Sequence, residues 1–219
     1  RQPMRCKYWI FDMDGTLTDS MEAVWRNAPM ALLKRFGKTP EPDLHDILLP
    51  LGLQESAEYL ISHYQLPLDE PGYVAALHET VSQLYETVEL KPGVRELLEH
   101  LHAAGARCCI CSNTWEAQCR AVLTRLGIAD YFEFYITAQG EKSKHHPAVF
   151  FEALHRLGGE DPAACAVCED AVYSARTAHA AGFRLLTIAD FCSKDDEPEL
   201  RRISDQFVTD WRQLDWEKI

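Results

Sequence analysis

The sequence predicts an α/β fold in which a three-layer core with a parallel sheet carries an inserted α-helical domain. From about residue 92 onward, short β-rich runs alternate with helical stretches, which is typical of parallel strands covered by helices on both faces. Between the first β-rich run and about residue 105, only helical spacings occur. The length of 219 residues and the apolar fraction of 47% suffice for one core with a smaller insert.

The first strand is predicted at residues 7–11, a β-rich run that ends directly before Asp12. Apolar residues then recur at helical spacing from Ser20 to about Phe36, and Pro29 is expected to kink or interrupt this helix. Proline and glycine separate three further helical stretches, at about 43–50, 54–64 and 71–88. The region 19–89 is therefore predicted to be a helical insert.

The remaining elements complete the predicted core. Pro92 and Gly93 open a helix that ends at Gly105. We expect the following strands at 106–111, 133–137, 163–168 and 184–188, and the following helices at about 115–126, 147–158 and 172–181. The core is thus predicted to consist of residues 1–18 and 90–219.

The charge of the chain restricts its partners. Its 22 Lys and Arg residues against 34 Asp and Glu residues give a net charge of −12, which disfavours nucleic acid and anionic membrane. An anionic substrate would also be repelled at long range, so its site needs a local cation such as a metal ion or a lysine. No apolar run reaches membrane-span length and no signal-peptide cleavage site follows the first strand, so we expect a cytoplasmic protein.

Two pairs among the eight cysteines have the spacing of a metal or redox motif, Cys108 with Cys111 and Cys165 with Cys168. Both pairs lie within apolar runs that resemble buried strands, where cysteine acts as a small apolar residue. We therefore favour the buried interpretation over zinc or redox chemistry. Eight thiols without a secretory signal indicate a reducing compartment.

Polar residues follow four of the predicted strands. They are Asp12 and Asp14; Ser112, Asn113 and Thr114; Lys144; and Glu169 and Asp170. Taken singly, most have an ordinary structural explanation: a turn, a helix cap at 112–114, a solvated loop charge, or acids in the first turn of a helix. Because ligands of open α/β sheets bind beyond the carboxyl ends of the strands, their joint occurrence predicts a site at this edge.

The chemistry of these residues fits attack on a phosphate ester. Asp12 can serve as a nucleophile, and Asp14 can act as the acid and base two residues further on. Magnesium binds oxygen ligands, which Asp12, Glu169 and Asp170 supply. Ser112 and Lys144 can hold the oxygens of the transferring phosphoryl group.

The sequence at these positions resembles the haloacid dehalogenase-like (HAD) hydrolase superfamily, in its phosphatase branch with a helical cap after the first motif. The first motif of that family matches Asp12-Met13-Asp14-Gly15-Thr16-Leu17, and the second matches Ser112-Asn113. The third usually reads Lys-Pro-x-Pro-x-x-Phe, which places Lys144 rather than Lys142 in register and puts His145 where the first proline is usual. Cys168-Glu169-Asp170 matches the fourth motif.

The resemblance implies a Rossmann-like core and a Mg²⁺-dependent phosphatase. By it, Asp12 is the nucleophile and Asp14 the acid/base. Magnesium would be held by Asp12, the Asp14 main-chain carbonyl and Asp170, with Glu169 in its shell. By the same resemblance, the residues that contact the phosphoryl group would be Ser112, Asn113 and Lys144.

Other functions of the same fold are less consistent with the sequence. Dehalogenases lack the second aspartate, and phosphonoacetaldehyde hydrolases use a cap lysine, whereas Lys34 and Lys38 here are poorly placed. A β-phosphoglucomutase-like mutase would have a histidine at Val24 and a cap arginine, but none occurs between Arg35 and Arg95. A non-catalytic binding module would be expected to lack at least one catalytic group, whereas none is missing from this sequence.

The insert suggests the substrate class. Its acidity and its lack of arginine after Arg35 favour a small phosphate monoester with a neutral or polar leaving group, such as a sugar or polyol. The insert is expected to close over the site and exclude water. We expect a monomer or a weak homodimer.

Overall fold

The computed structural model describes residues 4–219, so the first three residues of the predicted core lie outside the described part. The chain forms two compact units. One contains the residues up to Asp19 together with Glu89–Ile219, and the other is Ser20–Val88.

The larger unit is built on a parallel sheet of six strands in the order β3-β2-β1-β4-β5-β6. The strands are β1 (Tyr8–Phe11), β2 (Arg107–Ser112), β3 (Phe132–Thr137), β4 (Cys165–Glu169), β5 (Arg184–Ile188) and β6 (Gln206–Val208). The last residue of β1, Phe11, pairs with Ile110 on one side and Cys168 on the other. The carboxyl ends of β1, β2 and β4 therefore meet at one edge, and the predicted α/β fold is confirmed.

The smaller unit consists of helices. A π-helical segment at Met21–Arg26 precedes α1 (Ala28–Arg35), α2 (Leu44–Leu48), α3 (Leu53–His63) and α4 (Glu70–Leu84), and a 3₁₀ turn follows at Tyr85–Thr87. The helix predicted over 20–36 is broken at Asn27, because Pro29 lies in the first turn of α1, where a missing N–H costs nothing. The interruption expected at Pro29 thus takes the form of a new helix start.

In the described part of the chain, five helices cover the sheet: α5 (Val94–Ala103), α6 (Glu116–Arg125), α7 (Ala148–Arg156), α8 (Val172–Ala180) and α9 (Glu197–Ile203). One face of the sheet packs against α7, α8 and α9 in a buried apolar cluster that includes Ile10 and Val167. On the other face, Trp9 packs on Trp216, which stacks on His100 of α5, while Arg120 of α6 lies over the ring of Tyr135. Together these layers form the three-layer core.

Short 3₁₀ turns connect these elements, at Ala129–Tyr131, Gly140–Lys142, Pro162–Ala164, Phe191–Asp196, Trp211–Gln213 and Trp216–Lys218. No helix or strand was predicted after residue 188. The structure adds α9, β6 and the last three turns there. Among residues 4–219, no helix combines the length and the apolar character needed to cross a bilayer.

The cysteines of both paired motifs are buried thiols within strands, as the sequence predicted. Cys108 and Cys111 lie in β2, and Cys165 and Cys168 lie in β4. Burial raises the pKa of Cys108 and of Cys111 to about 12, so both are protonated at neutral pH and poorly suited to redox or metal chemistry.

Candidate active site

The loop after β1 places Asp12 at the centre of the sheet edge. The Asp12 amide continues the ladder by donating to the carbonyl oxygen of Cys168 at 3.1 Å, after which the chain turns. Gly15 has a φ of 83°, a conformation that favours glycine, and its amide donates to the Thr18 carbonyl oxygen at 2.8 Å. Trp211 fixes the loop from a distant part of the chain, since its indole N–H donates to the Thr16 carbonyl oxygen at 2.9 Å.

Lys144 is buried between two carboxylates. Its Nζ lies 2.8 Å from Asp12 Oδ1 and 2.9 Å from Glu169 Oε1. The same Glu169 oxygen accepts a hydrogen bond of 2.5 Å from Ser174 Oγ in the first turn of α8. Burial alone would lower the pKa of Lys144, but the charges of Asp12 and Glu169 outweigh it and raise that pKa well above its ordinary value. The lysine is therefore a permanent positive charge beside Asp12.

The hydroxyl group of Thr16 joins the first and fourth strand ends. Its Oγ1 lies 3.1 Å from Asp12 Oδ2 and 2.9 Å from Asp170 Oδ1, so it is within hydrogen-bond distance of both carboxylates. Burial, reinforced by the charge of Asp12, raises the pKa of Asp170 well above its ordinary value. Burial raises the pKa of Glu169 to about 7, with Asp12 adding to the effect and Lys144 opposing it. The cluster therefore holds more carboxylates than Lys144 alone can neutralise.

This cluster has the composition of a divalent-cation site. One oxygen from each of Asp12, Glu169 and Asp170 lies within 4.8 Å of the others. Carboxylate oxygens are the donors that Mg²⁺ prefers, and the raised pKa values of Glu169 and Asp170 indicate that a further positive charge would stabilise their ionised forms. The residues present thus fit a magnesium ion.

The side chain of Asp14 contacts the end of β2. Its Oδ2 accepts a hydrogen bond of 2.6 Å from Thr114 Oγ1, while Ser112 Oγ accepts one of 3.0 Å from the Thr114 amide. Helix α6 has Trp115 at its N-cap position, and the side chain of Trp115 makes no capping hydrogen bond. Glu169 and Asp170 precede α8, which begins at Val172, so they are not first-turn acids.

The two lysines of the third motif have different surroundings. Lys142 is exposed and its Nζ lies 3.2 Å from Glu152 Oε1 on the surface, whereas Lys144 is 2% exposed. Asn113 is exposed at the same edge, and its side chain contacts Tyr173. The structure therefore gathers Asp12, Lys144, Glu169 and Asp170 in direct contact, and places the side chains of Asp14, Ser112 and Asn113 at the neighbouring strand ends.

Three supporting residues were not identified from the sequence: Thr16, Ser174 and Trp211. Thr114 was noted at the end of the second strand, but its contact with Asp14 was not predicted. Thr16 stands inside the first motif, so its hydroxyl group was visible next to the candidate residues. Ser174 gives a weaker signal as a polar residue five positions after Glu169. No sequence pattern indicates that Trp211 contacts Thr16, because 195 residues separate the two.

Comparison with known proteins is consistent with this site. A model of the haloacid dehalogenase-like hydrolases matches residues 7–182. The chain is 27% identical over 192 residues to a probable pseudouridine-5'-phosphatase of Drosophila melanogaster, covering 83% of this chain and 80% of that protein. It is 32% identical over 207 residues to the protein CbbY of Rhodobacter capsulatus, covering 88% and 90% of the two chains.

A solved structure extends the similarity to the fold. The crystal structure of a putative β-phosphoglucomutase from Thermotoga maritima superposes with a TM-score of 0.77 at 23% identity, covering 92% of this chain and 94% of that one. At this identity the likeness establishes the fold alone. The family match, which spans most of the chain and includes Asp12, Asp14, Ser112, Asn113, Lys144, Glu169 and Asp170, goes further: this chain belongs to the haloacid dehalogenase-like hydrolases.

Proposed function

We propose that the protein hydrolyses a small phosphate monoester, such as a sugar phosphate, in a Mg²⁺-dependent reaction that passes through an aspartyl-phosphate on Asp12. One observation carries the proposal: the buried Lys144 lies 2.8 Å from Asp12 within a cluster of three carboxylates. At the coarser level of reaction class, the chain is a phosphoric monoester hydrolase. The finer statement rests on the chemistry of the site.

Asp12 is the nucleophile in this proposal. It follows a central strand, is partly exposed, and has a lysine at one carboxylate oxygen and Thr16 at the other. A carboxylate held in this way is oriented for attack, and a positive charge beside it reduces repulsion of the anionic ester. Lys144 then stabilises the charge that develops on the phosphoryl oxygens, together with Ser112 and Asn113.

Asp14 is the acid and base. Thr114 donates a hydrogen bond of 2.6 Å to Asp14 Oδ2, which orients the carboxyl group for proton transfer. In the first step Asp14 would protonate the leaving oxygen of the ester. In the second it would take a proton from the water that hydrolyses the aspartyl-phosphate.

The proposed magnesium ligands are Asp12, Asp170 and the main-chain carbonyl of Asp14, with Glu169 close by. When bound, the ion supplies electrostatic stabilisation of the phosphoryl oxygens. The hydroxyl group of Thr16 lies within hydrogen-bond distance of both Asp12 and Asp170. Ser174 and Lys144 each donate a hydrogen bond to Glu169. These contacts orient the carboxylates in advance of binding.

The helical unit Ser20–Val88 is proposed to be the cap that covers the site. The relatives include proteins named probable pseudouridine-5'-phosphatase and hexitol phosphatase B. These names support a neutral polar leaving group but do not identify the substrate of this protein. We also propose a cytoplasmic location, since all eight cysteines are thiols, and a monomer or weak homodimer.

The test is hydrolysis of p-nitrophenyl phosphate with Mg²⁺ and after its removal by chelation, in the wild type and in Asp12→Asn. The matched control is Asp195→Asn, which makes the same change at an exposed position of the turn Phe191–Asp196. We expect Mg²⁺-dependent turnover that is lost in Asp12→Asn and kept in Asp195→Asn. Turnover that survives either chelation or Asp12→Asn would refute the proposal. A panel of phosphorylated metabolites then tests the substrate class, and a preference for bisphosphates or phosphorylated dicarboxylates would contradict it.

A further inference from the structure

The side chains of Asn113, His145 and Tyr173 lie together beside the phosphoryl site. Of the three, only Asn113 has a role in the mechanism above, as a contact of the phosphoryl group. Asn113 follows Ser112, His145 follows Lys144, and Tyr173 comes three residues after Asp170. The parallel sheet brings these three positions together from separate strand ends. Asn113 and His145 are exposed, whereas Tyr173 is partly buried.

The contacts among them form a chain. Asn113 Nδ2 donates a hydrogen bond of 2.9 Å to the Tyr173 hydroxyl oxygen. The ring of His145 stacks on the ring of Tyr173, with centroids 4.4 Å apart and planes inclined by 29°. The main-chain oxygen of Asn113 accepts a further hydrogen bond of 2.6 Å from Gln139 Nε2. Both the backbone and the side chain of Asn113 are thus fixed.

Tyr173 can accept the hydrogen bond from Asn113 at neutral pH. Burial raises the pKa of Tyr173 to about 12, against the opposing charge of Lys144, so its hydroxyl group stays neutral and keeps a lone pair for the amide. The charges of Glu169 and Asp12 also act on this hydroxyl, which places it within electrostatic reach of the nucleophile.

An exposed amide side chain without such a partner would sample several rotamers, and ordering it on substrate binding would weaken affinity. With one Nδ2 hydrogen bound to Tyr173, the orientation of the Asn113 carboxamide is set before substrate arrives. The second Nδ2 hydrogen then remains available for a phosphoryl oxygen. This is preorganisation of a binding group by a neighbour that does not touch the ligand.

We infer that Tyr173 is a positioning residue, which fixes the Asn113 carboxamide for the phosphoryl group and is itself held by stacking against His145. The inference rests on the proposed function, because it assumes that Asn113 binds the phosphoryl group. Tyr173→Phe removes the hydroxyl oxygen while keeping the ring that stacks on His145. Tyr135→Phe is a matched control, since the Tyr135 hydroxyl is buried on β3 without a hydrogen-bond partner among the described residues.

The experiment measures KM and kcat for p-nitrophenyl phosphate, and the Kd of inorganic phosphate by calorimetry in the presence of Mg²⁺. The proteins are the wild type, Tyr173→Phe, Asn113→Ala, the double variant and Tyr135→Phe. We expect Tyr173→Phe to raise KM and the phosphate Kd about fivefold, the size of one lost hydrogen bond, with a smaller change in kcat. The double variant should match Asn113→Ala alone, because Tyr173 acts only through Asn113.

Two outcomes would overturn the inference: phosphate affinity in Tyr173→Phe equal to that of the wild type, or effects of the two single variants that multiply in the double variant. A purely structural role would lower the melting temperature and multiply with Asn113→Ala. Failure of the proposed function is distinguishable, because it appears as a wild type without Mg²⁺-dependent turnover. The phosphate Kd decides the role of Tyr173 in either case.

Discussion

Lys144 Nζ lies 2.8 Å from Asp12 Oδ1, although 132 residues separate the two in the chain. The Lys144 side chain is almost fully buried, and its Nζ also forms an ion pair with Glu169. A buried lysine held by two carboxylates has a fixed position, so its charge is directed at the space in front of Asp12. The proposed chemistry depends on that arrangement.

Replacing Lys144 should therefore impair both activity and stability. We expect Lys144→Met to lower kcat/KM at least about 100-fold, because it removes a preorganised charge from the developing anion. It should also lower the melting temperature, since breaking a buried ion pair typically costs about 3–5 kcal/mol. Steady-state kinetics and thermal denaturation measure the two effects.

The matched control is Lys142→Met, two residues away. Lys142 is exposed and pairs with Glu152 at the surface, where such pairs contribute about 0–1 kcal/mol. We expect this variant to behave like the wild type. Similar activity in the two variants would mean that Lys144 does not serve the phosphoryl group.

The contact between Thr114 and Asp14 predicts a second effect. Thr114→Val keeps the shape of the side chain but removes the hydroxyl group that holds Asp14 at 2.6 Å. A misoriented acid/base should lower kcat about 10-fold to 100-fold while KM changes little. Thr114→Ser keeps the donor and should restore most of kcat, so equal rates in the valine and serine variants would argue against this role.

Buried carboxylates predict how pH affects the metal-free protein. Burial raises the pKa of Glu169 from its ordinary value of 4.5 to about 7, and that of Asp170 also rises, so the folded state binds more protons than the unfolded state between these values. The stability that protonation provides is fully present below about pH 4.5 and is lost as the pH rises through about 7. The melting temperature of chelator-treated protein should fall over this window.

Magnesium should reverse that loss. A cation stabilises the ionised carboxylates, so added Mg²⁺ should raise the melting temperature much more at about pH 8 than at about pH 5. Differential scanning fluorimetry with and without chelator measures the difference, and Asp170→Asn should reduce it. Equal stabilisation at both pH values would indicate that these acids do not bind the ion.

The sequence was sufficient to predict five of the six strands and the polar residues that follow them. The strands from Cys108 to Ile188 are short apolar runs between turn signals, and parallel topology brings their ends together regardless of loop detail. The break at Asn27 rather than Pro29 was less predictable, because proline tolerates the first turn of a new helix.

The contacts within the site were not predictable in the same way. Thr114 bonds to Asp14 across 100 residues and Asn113 to Tyr173 across 60, and no local pattern specifies either pair. The elements after residue 188 were missed because they are short and weakly periodic. Trp211, which holds the loop of Asp12 through Thr16, belongs to that region.

The most direct test of the central claim is to locate the phosphoryl group in Asp14→Asn during reaction with p-nitrophenyl phosphate. Nitrophenolate leaves without an acid, so the first step should proceed, whereas hydrolysis of the aspartyl-phosphate lacks its base and should stall. Acid quenching followed by peptide mass spectrometry should then find one phosphoryl group on Asp12, with about one equivalent of nitrophenol released per protein. A phosphoryl group on another residue, or none on Asp12 despite nitrophenol release, would contradict the account.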